Sequence, residues 1–249
     1  MLSIENLAFV RDGHPILKDI TVKYAAGRLH GLIGPNGSGK TTLLKNICRI
    51  YTPTSGRILL KNRDCRTIPR RRLSAQVALV PQNPRVGFPI RVYDLVTMGR
   101  YPHLKRFQPL SDNDRRVVEE ALAATNTSAL RERSVTELSG GEVQLVMIAR
   151  ALATEAELIL LDEPTASLDI GNSLAVMDLL VKLKNQGKTI LTALHDLNQA
   201  RRFCDTVTIL KAGRLYFHGP AAEAFRPETM REVFEVGCTM KGKTLEFSL

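Results

Sequence analysis

Gly34-Pro35-Asn36-Gly37-Ser38-Gly39-Lys40-Thr41 decides how the rest of this chain is read. It fills every fixed position of Gly-x-x-x-x-Gly-Lys-Thr. Upstream, Arg28 to Ile33 is a short apolar run that reads as a strand entering the loop. Downstream, Thr42 to Ile50 carries apolar residues at helical spacing. Strand, glycine loop and helix are the setting in which this motif holds a phosphate chain. Glycines let backbone N–H groups curl round phosphate oxygens without a Cβ in the way, and the helix adds the positive end of its dipole. Gly34 to Thr42 are therefore the expected nucleotide-binding residues. Lys40 would reach the β- and γ-phosphates, and the Thr41 hydroxyl would hold Mg²⁺.

Phosphoryl transfer also needs a carboxylate near the metal and a group that positions water. Leu158 to Leu161 is a wholly apolar strand, and Asp162-Glu163-Pro164 follows at its end. Two adjacent acids can divide the work: Asp162 orients the Mg²⁺ shell and Glu163 polarises the attacking water. Such a strand end is expected beside the phosphate loop.

Around these motifs the chain alternates strands and helices. Leu2 to Val22 reads as strands and hairpins with a turn at Asp12-Gly13, and Val77 to Val80 is a further strand before Pro81-Gln82. After Pro89 the pattern turns helical. Val92 to Gly99 is one helix, and Ser111 with Asp114 opens another with Val117, Val118, Ala121 and Leu122 on one face. The core then resumes, with a helix over Leu174 to Leu183 stopped by Gly187 and a strand from Thr189 to Leu194 ending at His195. Val207 to Leu210 and Arg214 to Phe217 flank Ala212-Gly213 as a hairpin. The expected fold is α/β with a mostly parallel sheet. Residues 1–86 and 149–249 would form the core, and a helical lobe would be inserted at 87–148.

Leu138-Ser139-Gly140-Gly141-Glu142 is locally a capping box that opens the next helix. Its two glycines suit a backbone that meets phosphate closely, a second anion site at a helix N-terminus. One chain already holds its nucleotide on residues 34–41, so a second such site makes sense if it covers the nucleotide of another copy.

Bulk properties narrow the class further. The 249 residues contain no apolar run near the length of a membrane span and begin without a secretory-type leader, so a soluble, cytosolic-side chain is expected. Cys48, Cys65, Cys204 and Cys238 form no metal-ligand spacing and read as small core residues in a reducing compartment. The net charge of +10 is uneven. Residues 63–72 hold Arg63, Arg66, Arg70, Arg71 and Arg72 against Asp64, and residues 85–106 hold Arg85, Arg91, Arg100, Lys105 and Arg106 against Asp94. A solvated face is one reading of these runs; a polyanionic partner is another.

Residues 34–41, Gln82, 138–142, 158–163, Ser167-Leu168-Asp169 and His195 occur in an order and spacing that resembles an ABC transporter ATPase subunit. The match spans nearly the whole chain. The resemblance implies an N-terminal antiparallel β subdomain, a P-loop NTPase core and an inserted helical subdomain. It implies a head-to-tail dimer with two ATP molecules at its interface. Each ATP would lie between residues 34–41 of one copy and Ser139-Gly140-Gly141 of the other. Glu163 would be the catalytic base, His195 would contact the γ-phosphate, Gln82 would sense Mg²⁺ and water, and Asp169 would lie at the dimer interface.

Leu95 to His103, with Met98-Gly99-Arg100-Tyr101-Pro102-His103, resembles the group that takes up iron chelates, haem and cobalamin, as do 195–200 and Met230 to Val236. That resemblance implies two membrane permease subunits, an indirect link to a substrate-binding protein, and a place on the cytoplasmic face of the membrane. The segment near Gln82 would then face the membrane subunits, with the basic run 85–106 near anionic headgroups. No nucleic acid is expected; a soluble ABC-type ATPase acting in assembly or on nucleic acid, and an exporter subunit, are the alternatives. Two positions depart from the family pattern. Arg11 stands where an aromatic residue often stacks on adenine, with Phe9 two positions earlier. Val143 and Leu145 stand where basic or polar residues are common and leave the helix after the signature unusually apolar.

Overall fold

The computed structural model describes residues 1–82, 84, 86–241 and 244–248. In chain order, β1 (Leu2–Arg11), β2 (His14–Tyr24) and β3 (Leu29–Ile33) lead to α1 (Lys40–Ile47). β4 (Ser55–Leu60), β5 (Arg63–Asp64), α2 (Arg70–Gln76) and β6 (Val77–Val80) follow. Next come α3 (Val92–Thr97), α4 (Asp112–Ala124) and α5 (Gly140–Ala153). β7 (Leu158–Asp162), α6 (Ile170–Asn185), β8 (Thr189–Ala193), α7 (Leu197–Phe203), β9 (Thr206–Lys211) and β10 (Arg214–Pro220) return to the core. α8 (Ala221–Ala224), α9 (Pro227–Phe234), β11 (Gly237–Lys241) and β12 (Thr244–Ser248) complete it.

The main sheet runs β10-β9-β3-β8-β7-β6, parallel throughout except for the antiparallel edge strand β10. β7 explains its position by composition. All five of its residues are buried. Leu158 and Leu160 point to one core, shared with α1, whereas Ile159 and Leu161 point to the other, shared with α5 and α6. A strand buried on both faces must be apolar at every position, which is how Leu158 to Leu161 reads in sequence. The second sheet, β2-β1-β4-β5, is antiparallel and lays Leu2, Ile4, Leu7, Ile20 and Val22 over α1. Its first turn places Asp12 and Gly13 at positive φ, the geometry that suits a two-residue hairpin.

The strand end at Asp162 lies beside the phosphate loop, although β3 and β7 themselves are not neighbours. β8 lies between β3 and β7. Contact comes instead from α1, which crosses that strand and brings Thr41 to Asp162. The helix expected from Leu174 begins earlier, at Ile170, because the Asp169 side chain accepts from Asn172 N (2.7 Å) and caps it.

Both capping boxes form. Ser111 and Asp114 open α4, and Ser139 and Glu142 open α5. α5 is packed by α3, α4 and β6, so Val146, Met147, Ile148 and Ala149 are all buried. A helix covered on several sides needs no wide polar face, which accounts for its apolar character. This helix runs unbroken through residue 148.

The Met98-Gly99-Arg100 stretch is an inward-facing clasp. A Cβ on Gly99 would lie 2.4 Å from Arg150 O, so only glycine allows this approach to α5. Arg100 is 4% exposed and donates to Asp114 Oδ1 (2.9 Å), Ala153 O (2.8 Å) and Glu155 Oε2 (2.8 Å). His103 Nε2 reaches Thr154 O at 2.8 Å. The basic run 85–106 is thus not one uniform face. Arg100 is internal, Arg91 pairs with Asp94 and Glu132, and Arg85 lies outside the described residues. Lys105 and Arg106 remain exposed.

Candidate active site

Parallel register gathers the site. Val80 pairs with Leu161, Asp162 with Ala193 and Leu32 with Ala193. One or two residues beyond those pairs, Gln82, Glu163, His195 and Gly34 leave the carboxyl ends of four neighbouring strands at one level. Ligands of such sheets bind at this edge.

The phosphate loop is fixed by packing as much as by its ligand chemistry. A Cβ on Gly34, at φ +150, would lie 2.2 Å from Leu210 O. On Gly39, at φ +103, it would lie 2.7 Å from Leu17 Cδ2. Gly37 alone of the three has open space, at a φ of +76 that favours glycine. The loop's backbone is tied down where Ser38 N donates to Pro35 O (3.2 Å) and Gly213 N donates to Ser38 O (3.2 Å). Asn36 is exposed at its crest.

Inside the loop, Lys40 is 5% exposed and donates to Gly34 O (2.9 Å) and Pro35 O (3.2 Å). Burial lowers its pKa, and the Glu163 and Asp162 carboxylates oppose that shift. Thr41 Oγ1 donates to Asp162 Oδ1 at 3.0 Å. Burial raises the Asp162 carboxyl above its usual range despite that bond. Ser38 Oγ is buried with no partner, and Thr42 is half-buried one residue beyond Thr41. An orphaned hydroxyl and a cationic Nζ in a glycine loop fit a phosphate. Thr41, Asp162 and Gln82 offer the hard oxygen donors that Mg²⁺ prefers.

Glu163 is the most constrained residue of the site. It stands at φ +53, a conformation that non-glycine residues rarely adopt, and its N–H donates to Ala193 O (3.1 Å). Its carboxylate is 94% removed from solvent in the sense that only 6% of its side chain is exposed. Gln82 Nε2 donates to Oε2, and His195 Nε2 meets Oε1. His195 itself is 45% exposed. Both carboxylate oxygens therefore have a partner, and the expected trio of Gln82, Glu163 and His195 is in direct contact.

Ser139 and Gly140 are not part of this cluster. They are exposed at the N-terminus of α5, where the Glu142 carboxylate accepts from Ser139 N and Oγ (both 2.8 Å). A Cβ on Gly141 would meet Leu168 Cδ2 at 3.2 Å, so this glycine is set by its own chain, whereas Gly140 has open space. Asp169 is exposed as the cap of α6, and its neighbour Ile170 is 82% exposed.

Several contacts around the site residues were not legible in the sequence. Tyr51 stacks on Phe9 at 5.1 Å and accepts from Arg11 Nη1 at 3.1 Å, which places Arg11 beyond the C-terminal end of α1. A lone tyrosine in a loop carried no signal for this. Asn198 holds the C-terminal hairpin to α7: its Oδ1 accepts from Leu245 N (2.8 Å) and its Nδ2 donates to Leu245 O (3.3 Å). A cleft of about 950 Å³ opens beside Glu163 and His195 toward Ser173, Gln199 and Arg201.

The ABC transporter family profile matches residues 17–166. The chain belongs to that family. This ABC ATPase, an ATP-hydrolysing translocase subunit, is 39% identical over 236 residues to the iron(3+)-hydroxamate import ATP-binding protein of Bacillus subtilis. That match covers 94% of this chain and 88% of the relative. Among solved structures it is similar to an inward-facing ABC transporter described as of metal-chelate type, with TM-score 0.83 and 30% identity over 99% of this chain and 95% of that one. A dimeric ATP-binding cassette bound to ADP and Pi in a post-hydrolysis state gives TM-score 0.79 at 27% identity, over 89% of this ABC ATPase and 99% of that chain.

Proposed function

We propose that this ABC ATPase drives uptake of a metal chelate through partner membrane subunits. The observation that carries the catalytic half of this reading is the Glu163 carboxylate, strained at φ +53 and gripped by Gln82 and His195 beside the Thr41–Asp162 contact. Import of a chelate is supported by the iron-hydroxamate importer and the metal-chelate type transporter to which the chain is similar.

The residues act as follows. Backbone N–H groups of Gly34 to Thr42 and the ammonium of Lys40 bind the β- and γ-phosphates. Lys40 exchanges the Gly34 and Pro35 carbonyls for phosphate oxygens. Thr41, Asp162 and Gln82 would hold Mg²⁺, which neutralises phosphate charge when bound. Glu163 accepts the proton of the water that attacks the γ-phosphorus, ADP leaves, and inorganic phosphate forms. His195 contacts the γ-phosphate. Each Glu163 carboxylate oxygen has one partner, Gln82 or His195, and keeps a lone pair with which to accept from water.

Ser139, Gly140 and Gly141 supply the second wall to the nucleotide of another copy in a head-to-tail dimer. The exposure of Ser139, Gly140, Asp169 and Ile170 supports a face made for a second chain. No helix of the described residues is long and apolar enough to cross a membrane. The dimer would sit on the cytoplasmic face of the membrane beneath two permeases, linked through them to a substrate-binding protein.

Co-purification tests the reading. The expected result is a tagged chain that brings down an integral membrane protein and hydrolyses ATP faster with it. Salt-sensitive DNA binding with no membrane partner would overturn the transport reading and favour a nucleic-acid ATPase.

A further inference from the structure

Two basic stretches far apart in sequence meet on one face. Arg71 Nε donates to Pro102 O (3.1 Å) and its Nη2 donates to Leu104 O, which fastens α2 to the loop 101–110. On this face Arg71, Lys105 and Arg106 are all exposed and line one shallow hollow. Neither α2 nor residues 101–110 contains an acidic residue. Phe107 stands among these cations at 89% exposure, the highest of the large apolar residues among those described. Its φ is +60, a strained conformation for a bulky side chain, and no core contact offsets the strain. The Arg106 guanidinium lies 4.9 Å from its ring centroid. Tyr101, 58% exposed, borders the same shallow hollow as Arg71 and Phe107.

We propose that Arg71 and residues 101–107 form a contact surface for anionic lipid headgroups. Phe107 enters the headgroup layer, and Lys105 and Arg106 engage lipid phosphates, with the exposed Arg71 guanidinium adding its charge beside them. Aromatic rings favour the membrane–water boundary, and cations gain from an anionic leaflet. The chemistry favours lipid over a protein partner. A projecting ring ringed by like charges has no paired donors and acceptors to define one docked pose, whereas a fluid array of phosphates requires none. The face lies outside the ATP site, so its use would hold the subunit against the membrane independently of nucleotide. The proposal rests on the membrane-transport reading above.

Vesicle sedimentation with the purified full chain tests it. Vesicles containing phosphatidylglycerol should bind the chain, and pure phosphatidylcholine vesicles should not. Binding should fall steeply as salt rises. Lys105→Ala and Arg106→Ala should each weaken binding by roughly fivefold, and Phe107→Ala should weaken it several-fold. All three variants should keep the wild-type basal ATPase rate and thermal midpoint. Equal binding to both vesicle types, or unchanged affinity in all three variants, would overturn the proposal. So would a DNA duplex that binds this face as tightly as the vesicles, since the site would then be a general polyanion surface. These vesicles contain no protein, so their result stands apart from co-purification of membrane subunits, which tests the transport reading.

Discussion

Lys40 and Ser139 both stand at the N-terminus of a helix, yet Lys40 is 5% exposed and Ser139 is open to solvent. The loop around Lys40 is locked by the β9 carbonyl of Leu210, by Leu17 and by Gly213. Its acids, Asp162 and Glu163, already have partners. The segment around Ser139 is capped by its own Ser139–Glu142 box and leaves its tip in solvent, where Gly140 faces empty space. On the proposed reading, one region is a finished half-site and the other is the surface that meets the nucleotide of a second copy. The difference teaches that a single chain should bind ATP readily but hydrolyse it slowly, because preorganised groups surround only one side of the phosphates.

Substitutions can break this contrast at either end. The largest effect is expected at Glu163. Glu163→Gln should retain ATP binding while turnover falls by roughly 10²–10⁴-fold, the usual range for losing a general base. Turnover at the wild-type rate in a steady-state phosphate-release assay would remove Glu163 from that role. Lys40→Ala comes next. It strikes the finished half directly, and thermal stabilisation by Mg-ATP should disappear.

The finished half should also carry its own pH dependence. His30 lies on β3, 1% exposed, between Thr206 Oγ1 (2.6 Å) and Ala25 O (3.0 Å). Burial lowers its pKa from 6.5 to about 4. The folded state thus favours the neutral ring. Its contribution is complete above pH 6.5 and is lost as pH falls toward 4. At pH 5 the loss relative to neutral pH should be about 2 kcal/mol. Denaturant unfolding at the two pH values checks it: His30→Gln should flatten the dependence, and an unchanged slope would assign it to other groups. The smallest effect is expected at Arg11, whose guanidinium is occupied with Tyr51. Arg11→Ala should weaken ATP binding only slightly in a titration, and a tenfold loss would establish a direct adenine contact.

The finished half was legible in sequence because its signals are local. A glycine loop between strand and helix, and acids after a fully apolar strand, are read from adjacent residues. The capping boxes at Ser111 and Ser139 were equally local. What was not legible depends on neighbours distant in sequence. Spacing could not place β8 between β3 and β7, nor show that the glycines at 34 and 39 answer to Leu210 and Leu17. Charge counting grouped Arg100 with Lys105, although Arg100 turns inward to Asp114 and Glu155 while Lys105 stays in solvent. Two cations of one run can face opposite ways, and only packing decides which.

The central claim is that the exposed tip of α5 completes the ATP site of a second copy. Sedimentation equilibrium of Glu163→Gln with and without Mg-ATP tests it most directly. The chain mass is 27.6 kDa, and the account predicts that ATP doubles it. Adding a Ser139→Phe substitution should abolish the doubling while ATP binding persists. A variant that binds ATP at saturation and still sediments as one chain would contradict the account.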